Sequence, residues 1–130
     1  MDNCIFCKIV KGEIPCQKIA ENEDFLAFLD NQPFTMGHTL VVSKKHFRWT
    51  YDVPNFGQYW EFTKKISQTI QNKFNPEFVN FLTMGNEVPH AHIHLIPRYK
   101  DDCLTGLYKE EFRTHPSSKQ LQQIADNINS

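Results

Sequence analysis

The chain has 130 residues, 40% of them hydrophobic and eleven of them phenylalanine, so it can build one domain with a substantial core. Its formal net charge is −1, which argues against an extended nucleic-acid partner bound through a basic surface. No apolar run approaches the roughly 20 residues that span a bilayer, and the N-terminus lacks the pattern of a secretory signal. We therefore expect a cytoplasmic protein without a membrane partner, in which a Cys-x-x-Cys pair binds metal or is redox-active.

The predicted elements begin with a short helix at residues 4–10, which Gly12 and Pro15 bring to an end. Apolar and β-branched runs then predict five short strands, bounded by clusters of turn-forming residues. These strands lie at residues 19–22, 25–30, 39–42, 78–83 and 91–96.

Two further helices complete the prediction. Apolar residues three and four positions apart predict one long helix between residues 54 and 73. They are Tyr59, Phe62, Ile66, Ile70 and Phe74. A final amphipathic helix is predicted near residues 117–128, with Ser117 or Ser118 as its N-cap. The fold class is therefore α+β, a single domain over residues 1–130 with a mainly antiparallel five-stranded sheet, one long helix and short terminal helices.

Histidine occupies every second position at His90, His92 and His94, with apolar residues between. On a strand, this period places the three imidazoles on one face. Three interpretations are open: polar residues of a half-buried strand, metal ligands, or groups that act on phosphorus. One metal shared by all three is disfavoured, because the Cα atoms of His90 and His94 would be about 13 Å apart while Zn–N bonds measure about 2.0–2.1 Å.

The histidine run resembles the signature of the histidine triad family of nucleotide hydrolases and transferases. Residues 4–15, 25–30 and 37–46 resemble, in the same order, the opening, the ribose-binding segment and the central strand of that family. The similarity spans residues 4–99 and leaves residues 100–130 as a C-terminal tail. The N-terminal motif is similar to that of the purine nucleoside phosphoramidases and their prokaryotic relatives. This resemblance implies the family fold, an AMP-like purine nucleotide as ligand, and a homodimer that joins two sheets.

The resemblance also implies the catalytic roles. His92 would attack the α-phosphorus and form a nucleotidyl-histidine, which water then hydrolyses. A backbone carbonyl would accept a hydrogen bond from its other ring nitrogen and so select the reactive tautomer. His94 would contact the phosphate oxygens or the leaving group.

Four residues are candidates for nucleotide binding. By resemblance, Asp30 would hydrogen-bond the ribose hydroxyls and Phe28 would line the base pocket. The alternatives are a turn residue for Asp30 and a core aromatic for Phe28. Asn80 and Asn86 are the candidate amides that precede the triad, with Asn80 matching the phosphate-binding amide only if one residue is gapped.

Two features depart from the family pattern. Glu87 stands where the family has a serine or threonine that donates to the leaving group, and the loop at residues 82–85 is shorter than usual. An ionised Glu87 would repel phosphate. It could instead be protonated, bind a cationic leaving group or point away.

Cys4 and Cys7 have the C-x₂-C spacing that zinc sites favour. Zinc-binding members of the family add a histidine after the central strand and the first triad histidine, which match His46 and His90. Such a Cys₂His₂ site would be closed and structural, and the chemistry would need no cofactor. The alternative is a pair of free thiols, with His46 at the surface.

The sequence therefore predicts an enzyme that hydrolyses nucleoside 5′-phosphoramidates or related nucleotidyl conjugates. One alternative is a dinucleoside polyphosphate hydrolase, because Pro97 and Arg98 also follow the triad in that branch of the family. The other is a nucleotide-binding module with little turnover, which Glu87 and the short loop favour. Of the remaining histidines, His38 is interpreted as structural and His115 as a solvated loop residue.

Overall fold

The computed structural model describes residues 3–106 and 108–130. Five antiparallel strands form one sheet in the order β1-β2-β3-β5-β4. The strands are β1 (Lys18–Glu21), β2 (Phe25–Leu29), β3 (Thr39–Ser43), β4 (Phe78–Leu82) and β5 (His92–Arg98). The helices are α1 (Ile5–Val10), α2 (Phe56–Phe74) and α3 (Ser118–Asn129), with short 3₁₀ turns at Thr50–Asp52 and Glu110–Phe112. The α+β prediction is confirmed, and among the described helices none is long and apolar enough to cross a membrane.

Local hydrogen bonds explain where the first elements begin and turn. The Cys4 sulfur accepts from the Cys7 amide at 3.4 Å and caps the start of α1. Between β1 and β2, the Asn22 side-chain oxygen accepts from the amides of Asp24 at 2.9 Å and Phe25 at 2.8 Å. This Asx turn supplies the tight reversal that the two strands need.

The long helix α2 packs its predicted apolar face on the sheet. Tyr59, Ile66 and Ile70 are buried there, and the helix ends at Asn75, which adopts the left-handed conformation with φ 49°. The polar Thr63 is also fully buried, because its hydroxyl donates to the Tyr59 carbonyl at 2.8 Å. Hydrophobic periodicity alone does not anticipate this residue in the core.

The opposite face of the sheet positions the histidines. Strand register pairs Leu40 with His94 and Val42 with His92, so both histidines lie beside apolar residues of β3. This face forms a second apolar cluster with α1, to which Phe6 contributes. His92 and His94 are therefore almost fully buried, at 6% and 5% exposure.

The observed boundaries differ from the predicted ones by one or two residues, and one difference matters for the site. Strand β5 begins at His92, whereas His90 lies in the irregular segment that precedes the strand. The expectation that all three imidazoles share one strand face is therefore corrected: only His92 and His94 do. His90 is free of the strand geometry and turns towards Cys4 and Cys7.

Candidate active site and candidate metal centre

A cavity of about 340 Å³ opens between α1, the ends of β2 and β5, and the loop before β5. Its lining includes five of the predicted site residues: Phe28, Asp30, Asn86, His92 and His94. The structure therefore brings together residues that are more than sixty positions apart in the chain. This volume lies within the range of small-molecule sites.

His92 is held in one tautomer. Its Nδ1 lies 2.7 Å from the carbonyl oxygen of His90. Because a carbonyl only accepts, Nδ1 carries the proton and Nε2 carries the lone pair. Burial lowers the pKa of His92, although the bond to the His90 carbonyl opposes that shift. The described residues supply no hydrogen-bond partner for Nε2, and the ring lines the cavity.

A chain of hydrogen bonds sets the tautomer of His94. The amide of Phe34 donates to Nδ1 of His38 at 3.1 Å, so the His38 proton is on Nε2. That N–H donates to Nδ1 of His94 at 2.9 Å, which leaves the proton of His94 on Nε2. His38, which is interpreted from the sequence as structural, therefore fixes the tautomer of His94.

Burial also keeps this pair neutral. It lowers the pKa of both His38 and His94 from 6.5 to about 3. His94 therefore presents an uncharged N–H donor near neutral pH, and not an imidazolium. Asp30 lies close by, with its Oδ2 3.6 Å from Nε2 of His38. The 2.9 Å separation of the two histidine nitrogens is that of a hydrogen bond, so these three residues need no metal to explain them.

The two candidate amides lie in different places. Asn86 lines the cavity. Asn80, on β4, accepts from the Tyr108 hydroxyl and from Nη1 of Arg98, the latter at 3.5 Å. The structure therefore places Asn86 in the same cavity as His92 and His94, whereas Asn80 is bonded to the last residue of β5 and to Tyr108.

Glu87 lines the cavity together with Glu110. A hydrogen bond to Glu110 raises the pKa of Glu87, and burial adds to the shift. Two carboxyl groups that share a hydrogen bond retain a proton more readily than either alone. A protonated Glu87 would repel a phosphate less than the ionised carboxylate considered from the sequence.

Glu110 and Arg113 belong to the lining of the cavity but were not among the candidates from the sequence. Both lie in the C-terminal tail, where no motif marks them. Their Glu-x-x-Arg spacing is the only local signal, and it predicts a bond between them rather than a site.

Cys4, Cys7, His46 and His90 form a second cluster, in which the four donor atoms lie within 4.8 Å of one another. The Cys7 sulfur lies 3.2 Å from Nδ1 of His46 and 3.4 Å from Nδ1 of His90. A tetrahedral zinc ion separates its sulfur and nitrogen ligands by about 3.5 Å, so the distances are close to those of one shared ion.

The orientation of His90 also fits a ligand. Its Nε2 lies 2.6 Å from the Ser43 carbonyl and must donate to it. The lone pair is then on Nδ1, which faces both sulfurs. This is the arrangement in which a backbone carbonyl orients a metal-binding imidazole.

Comparison with known proteins identifies the family. A model of the HIT domain matches residues 11–101, and the chain belongs to this histidine triad (HIT) family. It is 39% identical to protein hit of Bacillus subtilis over 138 aligned positions, which cover 98% of this chain and 92% of that protein. It is 33% identical to an adenosine 5′-monophosphoramidase of Schizosaccharomyces pombe over 135 positions, which cover 98% and 97%.

One of the similar solved structures is described as zinc-bound. The zinc-bound histidine triad family protein of Mycobacterium smegmatis superimposes with a TM-score of 0.81 at 29% identity, covering 98% of this chain and 91% of that one. The family resemblance inferred from the histidine run is thus confirmed. The chain has hydrolase relatives in this family, and some of them are named for phosphoramidase activity.

Proposed function

We propose that this protein hydrolyses nucleoside 5′-phosphoramidates or similar nucleotidyl conjugates at their α-phosphorus. The observation that carries the proposal is the Nε2 lone pair of His92. A backbone carbonyl holds the other nitrogen protonated, so an uncharged nucleophile faces the cavity that also contains Asp30. The monophosphoramidase among the relatives supports this substrate class.

In the first step, a bond forms between Nε2 of His92 and the phosphorus, and the bond to the leaving amine breaks as the amine takes a proton from solvent water. The water that attacks in the second step returns one proton to the solvent. The His90 carbonyl stabilises the positive charge that the His92 ring acquires. The Nε2–H of His94 donates to a phosphate oxygen or to the leaving atom. Water then attacks the same phosphorus, releases the nucleoside 5′-monophosphate and restores His92.

We assign the nucleotide to the same cavity. Asp30 accepts hydrogen bonds from the ribose hydroxyls, and the largely buried Phe28 borders the base. Asn86 is the amide nearest to the phosphate, because the side chain of Asn80 is engaged by Tyr108 and Arg98. This arrangement favours an AMP-like purine nucleotide as the ligand.

We also assign zinc to Cys4, Cys7, His46 and His90. When bound, the ion supplies a structural link between α1 and the segments that follow β3 and precede β5, and it does not enter the reaction. The support is the set of donor distances and the His90 orientation, together with the zinc-bound relative.

A homodimer is part of the proposal. Strand β4 is at the edge of the sheet and carries Phe78 and Phe81, which are 50% and 41% exposed. Phe81 stacks on Trp60 of α2 at 6.1 Å between ring centroids. An edge strand with exposed aromatic residues favours pairing with a second copy, because pairing covers both the apolar surface and the free backbone groups.

Quenched reactions with adenosine 5′-phosphoramidate test the proposal. The wild-type protein should release AMP and yield a transient nucleotidyl adduct that mass spectrometry locates on His92. The variant His92→Asn should lose about 1,000-fold or more in kcat/KM, because it removes the nucleophile. The matched control His115→Asn changes an exposed histidine and should keep wild-type turnover.

Other outcomes select the alternatives. Faster turnover of a dinucleoside polyphosphate than of the phosphoramidate would assign the protein to that class of hydrolases. Equally slow AMP release by the wild type and by His92→Asn would indicate that the protein is a nucleotide-binding module with little turnover. An adduct on another residue would refute the role of His92.

A further inference from the structure

The C-terminal tail closes one side of the cavity. The segment at residues 110–114 is fixed to the loop that follows β2, because the Thr114 amide and hydroxyl both donate to the Pro33 carbonyl at 2.8 Å. Glu110 and Arg113 from this segment line the same cavity as His92 and His94. The segment lies beyond the residues that the HIT family model matches.

Arg113 is the best-anchored side chain of that segment. Its Nη1 donates to Oδ2 of Asp30 at 3.2 Å and to the Gln32 carbonyl at 2.8 Å. Its Nε donates to Glu110 at 2.9 Å, and its guanidinium lies 4.4 Å from the centre of the Phe34 ring. The side chain is only 10% exposed. Four contacts in different directions leave this arginine little freedom to rotate.

Asp30 depends on these contacts for its orientation. Its Oδ1 accepts from the Gln32 amide at 2.9 Å, and its Oδ2 faces Arg113. The carboxylate side chain is itself 10% exposed, so its charge is costly without a partner. The guanidinium supplies the opposite charge, and together with the Gln32 amide it holds both carboxylate oxygens and so fixes the rotamer.

We propose that Arg113 is a positioning residue of the nucleotide site, which holds Asp30 in the orientation that accepts hydrogen bonds from the ribose hydroxyls. The inference rests on the proposed function in one respect, the assignment of the ribose to Asp30. It adds that the C-terminal tail, through Arg113, determines how strongly the sugar is bound. A carboxylate already fixed in its binding geometry loses less entropy when the nucleotide arrives.

Equilibrium binding of AMP and of 2′,3′-dideoxyadenosine 5′-monophosphate tests the role. The wild type should bind AMP more tightly, because only AMP offers hydroxyls to Asp30. Arg113→Gln should weaken AMP binding by about tenfold or more and leave the dideoxy ligand almost unaffected. Arg113→Lys can still pair with Asp30 but lacks the several N–H groups of a guanidinium. Its affinity for AMP should lie between those of the wild type and Arg113→Gln.

Two matched controls isolate the effect. Lys109→Gln removes the same charge from an exposed position directly before the segment and should bind both ligands as the wild type does. In an Asp30→Asn background, Arg113→Gln should cause no further loss of AMP binding, because the residue on which it acts is already changed. Thermal denaturation of each variant verifies that the fold is retained.

Equal losses for the two ligands would overturn the proposal, since Arg113 would then contact the phosphate directly or only support the segment. Retained AMP affinity in Arg113→Gln would overturn it too, as would a wild type that does not distinguish the two ligands. These results concern binding alone. Equally slow AMP release by the wild type and by His92→Asn would refute the hydrolase proposal and leave the role of Arg113 standing.

Discussion

At the scale of single residues, the hydrogen-bond partners of the buried histidines determine what each ring can do. The backbone amide of Phe34 decides the tautomer of His38, and His38 decides that of His94. The same rings are desolvated, and their pKa values fall from 6.5 to about 3. Protonation of either ring would break the chain and leave a buried charge.

The stability of the protein should therefore fall as the pH falls from 7 to 5. In this range the unfolded chain binds protons at His38 and His94 and the folded protein does not, so the free energy of unfolding decreases. One such histidine contributes a loss of about 2 kcal/mol at pH 5. His38→Gln should remove about this much of the pH dependence, measured by urea denaturation at both pH values.

Exposed His115 provides the control, because His115→Gln should follow the wild-type pH dependence. If the unfolding free energy of His38→Gln fell between pH 7 and pH 5 as much as that of the wild type, the burial argument would be contradicted. The comparison concerns the difference between the two pH values. A loss of packing in His38→Gln lowers the unfolding free energy equally at the two pH values, so it does not change the difference between them.

Candidate site residues were predictable where a local pattern marks them. The alternation at residues 90–94 singled out all three histidines, and the C-x₂-C spacing singled out Cys4 and Cys7. The contact of Asp30 with Arg113 had no such pattern, because 83 residues separate the two. The link from His38 to His94 was equally hidden, since a buried hydrogen bond depends on strand register and not on spacing.

At the scale of elements, the stability of α1 depends on its contacts with the rest of the protein. It has six residues, too few for a helix that is stable by itself. Cys7 lies within it and Cys4 is its cap, so the metal cluster joins this helix to His46 and His90. A bound ion would therefore stabilise α1 far more than the helix stabilises itself.

Removal of zinc should lower the melting temperature by about 10 °C, because the link between α1 and the sheet is lost. Elemental analysis should find zinc in the wild type and not in Cys7→Ser, which should melt at the lower temperature without a chelator. Cys16→Ser changes a cysteine outside the cluster and should retain both metal and stability. Zinc retained in Cys7→Ser, or a melting temperature unmoved by chelation, would contradict the assignment.

The positions of the helices and strands were predictable from the period of the hydrophobic residues. Individual residues show where that prediction stops. The face of α2 followed from Tyr59, Ile66 and Ile70, whereas buried Thr63 follows only from its bond to the helix backbone. Strand β5 was predicted from alternation, yet His90 departs from it, since its ring bonds to Ser43 and faces the two cysteines. Tertiary contacts determine where such a strand begins, and those contacts cannot be read from a single sequence.

At the scale of the whole molecule, the exposed aromatic residues along β4 predict the assembly. Phe81→Lys should weaken the proposed dimer by about 100-fold or more, because it places a charge where apolar surface would be buried. Sedimentation at micromolar concentration should find dimers of the wild type and monomers of the variant. Tyr51→Lys introduces the same charge at a residue that is 71% exposed and away from β4, and it should remain dimeric. A monomeric wild type would refute the prediction.

The separation of Asp30 from Arg113 also sets an order in which the protein assembles. The pairing of β1 with β2 closes a loop of a few residues, while the contact of Asp30 with Arg113 closes one of 83. Long loops close later, because more chain entropy is lost before any contact is gained. During synthesis, all five strands have left the ribosome once Arg98 has emerged. The side of the cavity that the C-terminal tail closes can form only later, when Arg113 has also emerged. We therefore expect a chain to bind the nucleotide at full strength only after its tail has folded back.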